Sequence, residues 1–140
     1  MSWRYILPPL VAWGIAQVVK VVVQSARDRR LNLRILASMG GMPSSHSAMV
    51  MALTSAIARL NGLGSPLFAL ALIFSLVVMY DAAGVRRAVG RQAAILNRIV
   101  DDVLAQQGFR EDRLRELLGH TPYEVLAGAG LGILAGLLPL

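Results

Sequence analysis

The two histidines and the single lysine of this chain each lie at the end of an apolar segment. His46 follows Met42-Pro43-Ser44-Ser45, His120 precedes Thr121-Pro122, and Lys20 closes the first apolar run. Histidine can transfer protons or attack phosphorus, and a lysine ammonium can hold phosphate oxygens. This placement predicts chemistry on an anion at a membrane surface.

The segment Pro43-Ser44-Ser45-His46 is typical of a helix start. Ser44 or Ser45 is expected to cap the helix, and its exposed N–H groups and dipole favour an anion. A histidine in that first turn can protonate a leaving alcohol. The alternative is an ordinary N-cap followed by an interfacial histidine.

His120 and Glu124 form a second candidate pair. Thr121-Pro122-Tyr123-Glu124 matches a capping box, which alone would explain the glutamate. The functional interpretation has Glu124 hold one ring nitrogen of His120 while the other attacks phosphorus. Both roles can coexist, because the capping carboxylate also lies near the residue before the cap.

Other polar residues have simpler explanations when each is taken alone. Lys20 would be a snorkelling anchor and Arg27 a charge of the following loop. Asp81 and the Arg86–Arg87 pair could be an interfacial charge cluster, or one arginine could bind phosphate with Asp81 positioning it. Asn97 could support such a site, and Asp81 could instead ligate a metal, although no nearby ligand spacing supports one.

The composition is that of a membrane protein. Hydrophobic residues make up 56% and charged residues 16% of the 140, against about a quarter charged in soluble domains. The absence of cysteine excludes disulfides and thiolate chemistry. The net charge is +6, and the arginines that produce it flank apolar spans and have no aromatic residues between them. This pattern favours anionic lipid over nucleic acid as a partner.

Hydropathy predicts an all-α integral membrane protein, a single domain over residues 1–140 with about four transmembrane helices. A cleaved signal peptide is the rival interpretation of the first span, but that span is long for this role. In the segment Asp81 to Gly108 apolar side chains approximate one helical face, which predicts an amphipathic helix, either interfacial or packed under the bundle. Residues 109–118 are expected to form a short helix. The predicted spans are 5–23, 44–60, 66–80 and 122–140, joined on one side by polar loops 24–43 and 81–121.

Two stripes of small residues recur at every fourth position. One comprises Ser44, Ala48, Ala52 and Ala56, and the other comprises Gly128, Gly132 and Gly136. Such stripes allow helices to approach closely in a membrane, so the two spans are expected to pack together.

The basic residues predict an orientation. Twelve of the fourteen lie between Lys20 and Arg34 or between Arg86 and Arg115, in loops that fall on one side of the bundle. The positive-inside rule places that side, with every candidate polar residue, in the cytoplasm.

The ordered motifs resemble the type 2 phosphatidic acid phosphatase superfamily, especially its short divergent branch of bacterial and plastid membrane proteins. The resemblance implies a location in a bacterial inner membrane. That superfamily has Lys-x6-Arg-Pro, Pro-Ser-Gly-His and Ser-Arg-x5-His-x3-Asp motifs. Lys20 to Arg27, Pro43 to His46 and His120 to Glu124 match them, with Asp28, Ser45 and Glu124 replacing proline, glycine and aspartate. Leu114 occupies the position of the third-motif arginine, whose charge Arg86, Arg87, Arg113 or Arg115 could supply.

The resemblance implies a lipid phosphate phosphatase that needs no metal or other cofactor. His120 would be the nucleophile, Glu124 would orient it, and His46 would be the acid and then the base. The phosphate oxygens would be bound by Lys20, Arg27, Ser44, Ser45 and an arginine at position 86 or 87. The implied partners are the bilayer and a lipid phosphate, and a homodimer would complete the lipid-facing surface of so short a chain.

Other function classes fit parts of the pattern. The main alternative is a non-catalytic membrane protein that binds anionic lipid headgroups on its basic face. A small transporter would need paired intramembrane charges, which the spans lack. Oxyanion-dependent haloperoxidases share the superfamily, but they are soluble and much longer.

Overall fold

The computed structural model describes residues 3–29, 41–104 and 120–139, and these parts of the chain are helical, without a strand. The side chains of residues 27, 28, 85–87, 89 and 102–104 are not described. Five helices follow one another in these ranges: α1 (Trp3–Asp28), α2 (Ser45–Asn61), α3 (Pro66–Ala83), α4 (Val85–Leu104) and α5 (Pro122–Leu137).

Each predicted span contains a helix, but three helices run past the predicted ends, α2 by a single residue, Asn61. α1 continues five residues beyond Val23, and α3 continues three residues beyond Tyr80. The hydropathy pattern marks where apolar side chains stop, whereas the backbone stays helical until its hydrogen bonding is broken. The short helix expected at 109–118 lies outside the described residues.

α2 is the central helix of the bundle, in contact with α1, α3 and α5. α5 runs parallel to α2, because Gly128, Gly132 and Gly136 lie successively against Ser44, Ala48 and Ala52. A Cβ at any of these glycines would overlap a main-chain carbonyl oxygen of α2. The predicted pairing of the two small-residue stripes is therefore confirmed.

The distribution of side chains is the reverse of that in a soluble protein. The buried core consists largely of alanine, glycine and serine, while large apolar side chains of α1, α3 and α5 face outward. On α3, for example, Leu70, Ile73 and Val77 are each more than half exposed. This arrangement suits a hydrocarbon solvent, in which close backbone packing holds helices together.

Two helices are long and apolar enough to cross a membrane, α1 over Trp3–Ala26 and α3 over Pro66–Ala83. α5 is apolar but has only 16 residues, and α2 has 17. A full span needs about 20 helical residues. Four complete spans, as the sequence predicts, therefore remain an expectation, whereas two membrane-capable helices are observed.

α2 and α3 are joined by a buried polar contact at mid-bundle. The hydroxyls of Thr54 and Ser75 are 2.7 Å apart, so one donates to the other. The proton of the accepting hydroxyl can go to the carbonyl oxygen of Val50 or Ala71, at 3.0 to 3.2 Å. Hydrogen bonds of this kind satisfy hydroxyls that would otherwise be costly in an apolar setting. The contact fixes the register of α3 against α2.

Candidate active site

The chemistry-bearing residues meet at one end of the bundle, where α2 and α5 begin. The N–H of Ser44 donates to the carbonyl oxygen of Glu124 at 2.9 Å, which connects the two helix starts. The N–H of His120 donates to the carbonyl oxygen of Ala82 at 3.1 Å, which connects the start of α5 to the end of α3. These two bonds hold the His120 segment between α2 and α3.

His120 and Glu124 are in direct contact. Nδ1 of His120 lies 3.1 Å from Oε2 of Glu124, and the histidine side chain is 1% exposed. The same Oε2 accepts the N–H of Thr121 at 3.0 Å, while the hydroxyl of Thr121 accepts the N–H of Glu124. The capping box is therefore confirmed, and it coexists with the contact to the histidine. Because one oxygen serves both, the cap fixes where the imidazole ring is held.

Ser44 is the N-cap of α2, which settles the choice between Ser44 and Ser45. Its hydroxyl oxygen accepts the N–H of Ser47 and the hydroxyl of Ser47, at 3.4 and 3.1 Å. Ser45 is buried in the first turn, and His46 follows it with an exposed side chain. Of the two histidines, His46 is therefore the one placed for proton exchange with a ligand or water outside the bundle.

Lys20 is buried, which excludes the snorkelling anchor. It continues an inward stripe of α1 at every fourth position, formed by Pro8, Ala12 and Ala16. Its side chain is 3% exposed, and its charge lies close enough to interact favourably with the carboxylate of Glu124. A buried ammonium is stable only beside an opposite charge or a bound anion. Lys20 is therefore part of the same polar cluster as His120.

Gly41 is the site residue that the sequence pattern missed. A Cβ there would lie 3.3 Å from Cγ and 3.5 Å from Cδ of Lys20, so the backbone of Gly41 forms the wall against the lysine stem. Its φ is +100°, in the region that glycine adopts without strain. The adjacent glycines Gly40 and Gly41 are the sequence signal that could have indicated such a close approach.

The further cations expected at the site are Arg27 and an arginine at position 86 or 87, and the structure describes their backbone only. Arg27 belongs to the last turn of α1, two helical turns after Lys20, so the two backbone positions share a helix face. Arg86 and Arg87 open α4, directly after the end of α3 that binds His120. The side chains of all three lie outside the described part, as do Arg113, Leu114 and Arg115 entirely.

Asp81 and Asn97 occupy different parts of the molecule. Asp81 is half-buried in the last turn of α3, next to the Ala82 carbonyl that holds His120. Asn97 is buried on α4, more than three turns beyond the start of that helix. Asp81 therefore lies beside the segment that holds His120, while Asn97 belongs to a helix that, among the described helices, contacts α3 alone.

The sequence also allows Asp81 to be a metal ligand. Within the ranges 3–29, 41–104 and 120–139, no three carboxylate or imidazole side chains come together in a group that could hold an ion. The polar groups at this end of the bundle are instead the ammonium of Lys20, the imidazoles of His46 and His120, the carboxylate of Glu124, hydroxyls and helix N–H groups. That set suits an anion, which hydrogen-bond donors and positive charge stabilise.

The chain is similar to known proteins over nearly its whole length. The sequence profile described as the divergent PAP2 family matches residues 1–135. The chain belongs to the divergent PAP2 family. Within that family it is similar to the uncharacterized membrane protein YuiD of Bacillus subtilis (strain 168). The two are 43% identical over 140 residues, covering 92% of this chain and 89% of YuiD. No solved structure gives a significant match.

Membership of this family confirms the resemblance drawn from the three motifs. The matched region contains all of Lys20 to Arg27, Pro43 to His46 and His120 to Glu124. The relative is named only as a membrane protein, which agrees with the two membrane-capable helices and the outward apolar side chains of this divergent PAP2 protein.

Proposed function

We propose that the protein is a membrane lipid phosphate phosphatase that works through a phosphohistidine. The observation that carries the proposal is the contact of His120 Nδ1 with Glu124 Oε2 at 3.1 Å, held where α2 and α5 begin side by side. Family membership supports the reaction class, and the buried Lys20 supplies a cation beside that pair.

The parallel arrangement of α2 and α5 favours a phosphate at this end of the bundle. Each helix carries about half a positive charge at its N-terminus, and parallel packing brings both ends to one place. The ammonium of Lys20 adds a full charge. The hydroxyl of Ser44 accepts two hydrogen bonds from Ser47, which leaves its own O–H to donate to another acceptor.

The proposed reaction has two displacement steps. Nε2 of His120 attacks phosphorus in line, the phosphorus–oxygen ester bond breaks, and His46 gives its proton to the departing lipid alkoxide. Glu124 stabilises the positive charge that develops on the imidazole through Nδ1. Neutral His46 then takes a proton from water, and the resulting hydroxide displaces inorganic phosphate from His120.

Lys20, Arg27 and the helix N–H groups would stabilise the equatorial oxygens in both steps. Removing one such donor typically lowers the rate by about 100- to 1,000-fold. An arginine at 86 or 87 is proposed as the further cation, because α4 begins next to the α3 residue that binds His120. The substrate would be a membrane lipid phosphomonoester or diphosphate, bound on the basic, cytoplasmic side.

Burial favours a second candidate function, the binding of anionic headgroups without catalysis. His120 and Lys20 are 1% and 3% exposed, and Glu124 already has a structural partner in the Thr121 cap. In that case the polar cluster would stabilise the helix starts, and the exposed His46 would contact the headgroup. The two functions differ in whether His120 reacts.

Phosphate release from a panel of lipid phosphates distinguishes the two. The wild type, His120→Ala and His46→Ala would be assayed in detergent with a chelator present, and Tyr123→Phe would serve as an exposed control on the same helix start. A catalytic site predicts release by the wild type and the control, and an acid-labile phosphoenzyme lost in His120→Ala. His46→Ala would accumulate that phosphoenzyme.

Two results would overturn the phosphatase proposal. One is release that His120→Ala leaves unchanged. The other is saturable headgroup binding without release from any lipid phosphate, which would establish the second function. Wild-type activity that is present without the chelator and lost when the chelator is added would instead implicate a metal.

A further inference from the structure

α4 has an apolar face that the described part of the chain leaves uncovered. Ile95, Leu96, Ile99 and Val100 are 59%, 50%, 53% and 37% exposed, and they lie within one arc of the helix. The buried face, with Ala93 and Asn97, points elsewhere. α4 therefore has an inner face and a separate, outward apolar face.

The sequence allowed two positions for this helix, interfacial or packed beneath the bundle. Packing beneath would bring α4 against α1, α2 or α5, but in the described ranges α4 contacts only α3. α3 is itself apolar enough to cross a membrane and ends at Ala83, two residues before α4 begins. α4 thus begins directly after the apolar α3, and its exposed apolar face lies further along the helix, at residues 95–100.

Charge identifies what could cover this face. Arg91 and Arg98 are exposed, are separated by two helical turns, and border the apolar arc on one side. The exposed carboxylate of Asp101 lies on the opposite side of the helix from the centre of that arc. Basic side chains beside an apolar face suit an anionic lipid surface, whose phosphates bind the arginines while the apolar residues enter the acyl region.

We propose that α4 lies in the membrane interface, with Ile95, Leu96, Ile99 and Val100 in lipid and Arg91 and Arg98 on lipid phosphates. The proposal is independent of catalysis at His120. It would nevertheless fix the height of the candidate site, because α4 follows the α3 residue, Ala82, that accepts the N–H of His120.

Site-directed spin labelling tests this position directly, because the chain has no native cysteine to remove. Ile99→Cys and Leu96→Cys would be labelled on the apolar face, and Asp101→Cys would be the matched control two residues from Ile99. In vesicles of phosphatidylglycerol and phosphatidylcholine, the labels at 96 and 99 should collide with oxygen more than with a water-soluble nickel complex. The label at 101 should show the reverse.

The arginines are tested in the same measurement. Arg91→Gln with Arg98→Gln should lower the oxygen accessibility at 99 in phosphatidylglycerol vesicles and leave it unchanged in pure phosphatidylcholine. Equal nickel accessibility at 96, 99 and 101 would overturn the proposal. So would dipolar broadening between labels at 99 of two chains, since that result would show a second copy covering the face.

Discussion

The main-chain N–H of Ser44 donates a 2.9 Å hydrogen bond to the carbonyl oxygen of Glu124, which joins the cap of one helix to the first turn of another. These residues are 80 positions apart in the sequence. Because the bond joins two helices that run in parallel, it aligns both N-termini. The candidate site depends on this alignment, since His46 and His120 belong to different helices.

The close approach of α2 and α5 should be sensitive to a single methyl group. In Gly132→Ala the new Cβ would overlap the carbonyl oxygen of Ala48 and lie 2.9 Å from the N of Ala52. We expect a loss of about 1–3 kcal/mol in unfolding free energy, as for other overpacked sites. Reversible unfolding in mixed detergent micelles would measure it.

Gly130→Ala is the matched control on the same helix, because a Cβ there meets nothing within 4 Å. Alanine is favoured over glycine in a helix by about 1 kcal/mol, so this variant should be as stable as the wild type or more so. Equal stability of the two variants would contradict the close packing.

A substitution at Gly41 should change the position of the Lys20 side chain without contacting a bound ligand. Gly41→Ala places a methyl group 3.3 Å from Cγ of Lys20 at a φ of +100°, so the lysine stem must shift. Phosphate release should fall by about 100-fold, as expected when a phosphate donor is misplaced. Initial rates on a lipid phosphate in detergent would test this.

Gly62→Ala separates that effect from backbone strain. Gly62 also has a positive φ, +83°, but a Cβ there meets nothing within 4 Å, and the residue lies at the other end of α2. Both variants should lose about 1–2 kcal/mol in stability from the left-handed conformation. A similar activity loss in both would show that strain, not the Lys20 contact, is responsible.

Glu124 has two roles that can be separated by substitution. Glu124→Gln keeps an amide that can complete the capping box but removes the charge opposite Nδ1 of His120. Activity should therefore fall by about 100-fold or more. The unfolding free energy should fall as well, because the buried Lys20 loses its opposite charge.

Thr121→Ala is the converse substitution. It removes the hydroxyl that accepts the N–H of Glu124 and leaves the carboxylate in place. The expected result is a loss of about 1 kcal/mol in stability with activity largely retained. If Glu124→Gln were fully active and less stable, the glutamate would be a cap only.

The Thr54–Ser75 contact predicts a measurable coupling between α2 and α3. Thr54→Val and Ser75→Ala each remove one hydroxyl of a buried pair 2.7 Å apart. A double-mutant cycle in unfolding free energy should give about 0.6 kcal/mol, the average for such bonds in membranes. Additive effects of the two substitutions would show that the hydroxyls act independently.

Much of the fold and part of the site follow from local sequence patterns. Apolar runs predict the helices, Thr121 to Glu124 predicts the capping box, and the four-residue spacing of alanines and glycines predicts the α2–α5 contact. Such features depend on a few neighbouring residues, so they can be recognised without the rest of the chain. The helix ends were less predictable, because polar residues continue α1 to Asp28.

The position of Lys20 could not be inferred from its neighbours. A lysine near the end of an apolar helix usually extends towards water. Here it faces inward beside Glu124, although the period of Pro8, Ala12 and Ala16 could have indicated that face. The side to which a helix turns depends on what packs against it, and for α1 that is set by α2 and α5.

The sequence by itself determined which residues could do chemistry, in what order, and on which helix ends. Only the tertiary structure decided that a hydrogen bond from Ser44 to Glu124 aligns the starts of α2 and α5, that Gly41 walls in Lys20, and that one oxygen of Glu124 serves both the cap and His120. The physical reason is that local hydrogen bonding fixes a helix and its cap. The register of contacts between residues 80 positions apart depends instead on the packing of whole helices, which a short pattern does not fix.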